Sequence, residues 1–150
     1  MIKRQVVLES ISALLIMLFI YASLSKFLDF NHFIGEMNNQ PFPDRFTPFL
    51  VWAIPITEIL ISTALIFEPT RMAGLISSLI LMTLFTIYTA TVLLHFFKYV
   101  PCSCGGVISK LTWRQHLVFN LFFVAISIAG IILQRSKSFK SIFITKNSFV

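Results

Sequence analysis

The chain has 150 residues, 57% of them apolar and only 12% charged, with 17 phenylalanines, a mean hydropathy of +0.86 and a formal net charge of +6. Soluble domains carry about 25% charged residues, so a lone soluble domain, a disordered chain and a small disulfide-stapled module are all excluded. An integral membrane protein remains.

A hydrocarbon core about 30 Å thick calls for roughly 20 apolar residues per helix. Val6 to Leu24 is the first window of that length, interrupted by Glu9 and small polar groups. Met1-Ile2-Lys3-Arg4 before it could open a signal peptide, but the run is long, carries Glu9 and ends without a small-x-small site. The segment is expected to be retained. In the loop that follows, Ser25 to Pro48, Phe27, Phe30, Ile34 and Met37 recur at spacings of three and four. That pattern predicts a short helix lying on the membrane surface, ended by Pro41-Phe42-Pro43-Asp44-Arg45.

Phe49 to Phe67 is the second window, with Glu58 as its only charge, and Glu68-Pro69-Thr70-Arg71 turns the chain back. Met72 to Phe97 is the third and contains no acid, Lys or Arg. The loop Lys98 to Arg114 holds both cysteines. Thr112-Trp113-Arg114-Gln115 reads as a capping box that starts a fourth helix over about 113–133, with its apolar window at His116 to Leu133. Residues 135–150 are expected as a loosely ordered basic tail. The runs are too long for strands and lack two-residue alternation, which excludes a barrel. The fold class is therefore all-α: a four-helix transmembrane bundle, residues 1–134, with a surface helix in its first loop.

Four spans put both termini on one side. Lys3, Arg4, Arg71, Arg135, Lys137, Lys140 and Lys146 lie there, seven basic residues against five (Lys26, Arg45, Lys98, Lys110 and Arg114) on the other. The bias favours cytoplasmic termini and a bacterial inner-membrane protein whose cysteine loop faces the periplasm. The basic tail then faces anionic lipid. No basic stripe with interleaved aromatics sits on a soluble element, so nucleic acid is not an expected partner.

Chemistry is concentrated in Pro101-Cys102-Ser103-Cys104-Gly105-Gly106. The chain's two cysteines stand one residue apart beside two glycines, an arrangement that packing does not require. A Cys-x-Cys disulfide closes a very small ring, and strained, exposed disulfides are the labile, oxidising ones. The glycines allow the dihedrals that such a ring needs. Lys98, Lys110 and Arg114 flank the pair and no acid follows Glu68, a surround that favours the thiolate. Three readings stay open: a redox-active dithiol, an inert thiol pair, and a site for zinc or soft copper formed with His95 and His116. Either histidine could instead accept a thiol proton, since no carboxylate is near in sequence.

Glu58 has nine residues of its window on either side, which places it near the bilayer midplane. A charge there costs at least ~2.5 kcal/mol, so such a group faces the bundle interior and has a partner or a role; the alternative is a protonated acid that only hydrogen-bonds for helix packing. Pro55, one turn earlier, frees a backbone carbonyl. Tyr88 and Thr89 of the third window lie at matching depth and are the expected neighbours. Glu9, three residues into its helix, reads as an interfacial acid.

The four-span plan with Ser25-Lys26-Phe27-Leu28-Asp29-Phe30 after the first helix resembles the DoxX-like superfamily. Pro55-x-x-Glu58 and a Cys102-Ser103-Cys104-Gly105 loop before the fourth helix resemble its methylamine-utilisation branch, MauE, over most of residues 6–133. The resemblance implies a redox-associated membrane protein that supports disulfide formation or maturation of periplasmic proteins beside thioredoxin-like partners. It implicates Cys102 and Cys104, with Glu58 and Lys26 as polar residues of the family pattern.

The expected function is thus a membrane thiol–disulfide redox protein with Cys102, Cys104, Glu58, His95 and His116 as its working residues. Its electrons would pass between a periplasmic thiol protein and, in the bilayer, a quinone. One cysteine pair does not encode a complete relay. The alternative is a non-enzymatic subunit or scaffold of a larger envelope complex, with the cysteines structural or metal-binding.

Overall fold

A computed structural model describes residues 2–40, 43–94, 96 and 112–147, with side chains described as far as Ser136 apart from those of Ile2 and Asp44. The elements are α1 (Ile2–Leu28), α2 (Phe30–Asn38), a 3-10 turn (Asp44–Phe46), α3 (Thr47–Ile66), α4 (Arg71–Leu93) and α5 (Trp113–Asn147). Four of these helices are long and apolar enough to cross a membrane, over Lys3–Leu28, Thr47–Ile66, Arg71–Leu93 and Trp113–Ser136. Among the described residues there is no strand. The bundle is a ring in which α1 packs on α3, α3 on α4 and α4 on α5, with α5 returning to α1.

Each spanning helix buries one stripe at alternating steps of three and four. On α1 the stripe is Leu8, Ser12, Leu15, Phe19, Ser23 and Lys26; on α3 it is Val51, Pro55, Glu58, Ser62 and Leu65. The interior mixes serines and other polar groups with its apolar residues, where the exterior is large and apolar: Met17 and Phe49 are each 69% exposed. That distribution suits lipid, where burying apolar surface between helices gains little and close backbone approach gains more. Ser12, Ser62 and Ser127 satisfy their buried hydroxyls by donating to the carbonyls of Leu8, Glu58 and Phe123. At Gly74 an added Cβ would lie 2.9 Å from the Leu65 backbone nitrogen, so α3 and α4 touch there only because a side chain is missing.

The helix ends differ from the sequence windows in a consistent way. α1 does not stop at Leu24 but continues to Leu28, which brings Lys26 into a spanning segment. α5 runs unbroken to Asn147, so the segment expected as a loosely ordered tail is helical. No Gly or Pro occurs from Ile131 to Asn147, and nothing local ends the helix. The capping box is present: Thr112 N donates to Gln115 Oε1 at 2.9 Å, and Gln115 N donates to Thr112 Oγ1 at 3.4 Å. α2 forms as its spacing predicted, with Phe33 and Met37 buried against Val51 of α3. Phe27, assigned to that helix from spacing, belongs to α1.

A candidate functional site inside the membrane

The end of the bundle away from the termini holds a partly open cavity of about 370 Å³. Both helices that flank the cysteine loop line it: α4 through Tyr88 and Thr89, α5 through Trp113 and His116. Leu18, Phe19 and Ala22 of α1 and Phe33 of α2 supply much of its apolar wall.

Lys26 and Glu58 form its charged side. Lys26 Nζ donates to Glu58 Oε1 at 2.8 Å and to Oε2 at 3.2 Å, with side-chain exposures of 8% and 1%. The third ammonium proton reaches the Ala22 carbonyl at 3.2 Å. The Phe33 ring of α2 lies 5.9 Å from the same nitrogen, so the surface helix roofs the pair. Full satisfaction of the ammonium is what makes so buried a charge tolerable, since an unmatched one is strongly destabilising. This corrects the expectation that Tyr88 and Thr89 partner Glu58. Both residues do line the cavity with it, but the partner is Lys26.

Tyr88 instead donates its hydroxyl to Gln40 Oε1, and Gln40 Nε2 donates to the Glu36 carbonyl at 2.9 Å. α2 is thereby tied to α4. Thr89 Oγ1 donates to the Phe85 carbonyl at 2.8 Å and accepts from Asn120 Nδ2 at 3.3 Å. Asn120 stands one turn beyond His116 on α5. His116 is half-buried, and its Nδ1 is buried without a hydrogen-bond partner. On α2, outside the spans, burial pushes the Glu36 carboxyl above the ordinary carboxylate range, against the opposing pull of His32.

Of the five residues named from sequence, Glu58 and His116 come together around one cavity. Cys102, Cys104 and His95 lie outside the described residues. Sequence reasoning missed Asn120 and Gln40. Asn120 carried a readable signal, a lone amide in an apolar run at four residues from His116. Gln40, in a loop, carried none.

A family profile described as "Methylamine utilisation protein MauE" matches residues 4–133. The chain belongs to the MauE family. The match spans the four membrane helices and the cysteine loop together, and therefore the whole ring of residues around the cavity. Membership makes this a multi-pass membrane protein of a family named for methylamine utilisation. Comparison with curated proteins and with solved structures gives no match.

The arrangement permits two things chemically. A desolvated, neutralised Lys–Glu pair gives the apolar chamber a fixed polar wall. The amide, hydroxyl and imidazole groups beside it offer donors and acceptors within an otherwise apolar lining.

Proposed function

We propose that this MauE-family chain is a membrane thiol–disulfide redox protein that supports disulfide formation or maturation of envelope proteins. Cys102 and Cys104 are its reactive pair. The observation that carries the reading is the setting of that pair. The loop that holds it joins the two helices whose facing ends line the polar cavity. The redox step balances within thiol chemistry. A thiolate of a reduced envelope protein attacks the Cys102–Cys104 disulfide and forms a mixed disulfide. The protein's second thiolate then displaces the bridging cysteine, leaving the envelope protein oxidised and the loop a dithiol.

The loop faces the periplasm and both termini the cytoplasm. Lys26 and Arg71 are both drawn inside the protein, where Arg71 Nε donates to the Leu65 carbonyl at 3.5 Å. Without them the basic residues number six on the terminal side against four on the loop side, and the bias is kept. A positive loop with no acid favours the thiolate that attacks or leaves.

The test is a redox titration of the purified full chain in thiol–disulfide buffers, read by alkylation and mass. Two cysteines should convert together, with a midpoint above the roughly −300 mV of structural disulfides. A pair that stays reduced throughout, or titrates with structural bridges, contradicts the reading.

A further inference from the structure

The cavity has a composition that spanning helices do not need for packing. Its lining is mostly aromatic and aliphatic, with Phe19, Phe33, Phe85, Phe119 and Trp113 contributing rings. Its polar groups stand within segments that cross the bilayer. Most of what a ligand meets there is apolar, which suits a lipid-soluble molecule. Its volume, about 370 Å³, stands near the lower end of small-molecule pockets, which suits one ring system rather than a folded lipid.

The polar groups narrow the choice further. Lys26 uses its three protons on Glu58 and Ala22, so the charged pair is a wall and not a spare donor. His116 lines the cavity, and its Nδ1 is buried without a hydrogen-bond partner, so no hydrogen bond from Nδ1 fixes the tautomer of the ring. A neutral imidazole nitrogen donates in one tautomer and accepts in the other. Asn120, one turn away, likewise carries both kinds of group. Groups that can serve either as donor or as acceptor suit a ligand whose oxygens change from carbonyl to hydroxyl. An acyl chain has no use for such a wall.

We propose that the cavity binds the ring of a membrane quinone, with the imidazole of His116 as hydrogen-bond partner of one ring oxygen. Phe19, Phe85 and Phe119 supply the apolar faces around the ring, and the Lys26–Glu58 pair bounds the polar side. The choice of a quinone rests on the redox reading above, which needs a two-electron acceptor in the bilayer to regenerate the disulfide. In that step the two thiols lose two protons and two electrons as the S–S bond forms. The two quinone carbonyls take them up and become the hydroxyls of the quinol.

The probe is decylubiquinone, titrated into the full chain in lipid nanodiscs with Trp113 fluorescence as the readout. Trp52→Phe removes the other tryptophan, whose ring lies tilted against Phe30 at 4.9 Å and does not line the cavity. Saturable quenching is expected. Ala22→Phe, which fills the chamber, and His116→Leu, which removes the ring-oxygen partner, should each weaken binding at least tenfold with an unchanged melting temperature. The titration is repeated with Cys102→Ser/Cys104→Ser, where binding should be retained. Its retention alongside a failed redox titration would overturn the redox reading and leave the quinone site standing. Quenching that does not saturate overturns the site, as does wild-type affinity in both cavity variants. Equal competition by decanol, which has the tail and no ring, also overturns it.

Discussion

Cutting one side of the Lys26–Glu58 pair gives the sharpest structural prediction. The two side chains are 8% and 1% exposed and meet through contacts of 2.8 and 3.2 Å. Removing one member of such a pair leaves a buried charge without its counter-ion, a loss of ~3–5 kcal/mol. Replacing both by apolar groups removes the desolvation cost together with the attraction, and the net change is ~0 or favourable by 1–4 kcal/mol. When the bundle opens within the bilayer, Glu58 still sits on a spanning helix, so part of its cost is common to both states and the lower end applies. Lys26→Met and Glu58→Leu should therefore each cost ~3 kcal/mol, and Lys26→Met/Glu58→Leu no more than ~1 kcal/mol. With Lys26 as partner an amide cannot neutralise the ammonium, and Glu58→Gln should behave like Glu58→Leu. Steric-trap unfolding in bicelles measures all four free energies. Single variants within ~0.5 kcal/mol of wild type, or strictly additive losses, would refute the pair.

Three further outcomes follow from the packing, the titration and the topology. Gly74→Ala places a methyl 2.9 Å from the Leu65 backbone nitrogen, which cannot swing aside, and should cost ~1–3 kcal/mol in the same unfolding assay. Glu36, whose carboxyl is raised above its usual 4.5, favours folding when protonated and loses that contribution as the pH rises through its folded value. Glu36→Gln should thus raise the melting temperature at pH 7, and the gain should vanish as the pH falls below 4.5. A membrane-impermeant maleimide should label the reduced cysteine loop in intact spheroplasts. Labelling only after lysis would reverse the orientation.

The spans, the surface helix and the fourth helix's cap were legible because each rests on a local pattern. These were apolar length, steps of three and four, and Thr112 with Gln115 three residues on. Glu58 was legible as a residue in need of a partner, but the partner was not. A hydropathy window ends where a charge begins, so Lys26 reads as loop. Yet it continues the buried stripe of Leu8, Leu15, Phe19 and Ser23, and a cation matched by Glu58 no longer ends a span. Counting depth along straight helices brought Tyr88 and Thr89 to the right chamber and the wrong contact. The link from Tyr88 to Gln40 depends on where α2 folds back, which no local spacing states. The unbroken α5 shows the opposite limit, since basic composition was read as disorder where only Gly or Pro would have stopped the helix.

The most direct test of the redox account is to trap its intermediate. Cys102→Ser and Cys104→Ser are expressed separately in the native host, and whole cells are acid-quenched and alkylated. The chain is then resolved by mass with and without reductant. The account predicts a reductant-sensitive species, heavier by the mass of one envelope thiol protein, in at least one of the two variants and through the cysteine that remains. If both variants stay at monomer mass and both sustain full function in cells, the dithiol is not the working part of this protein.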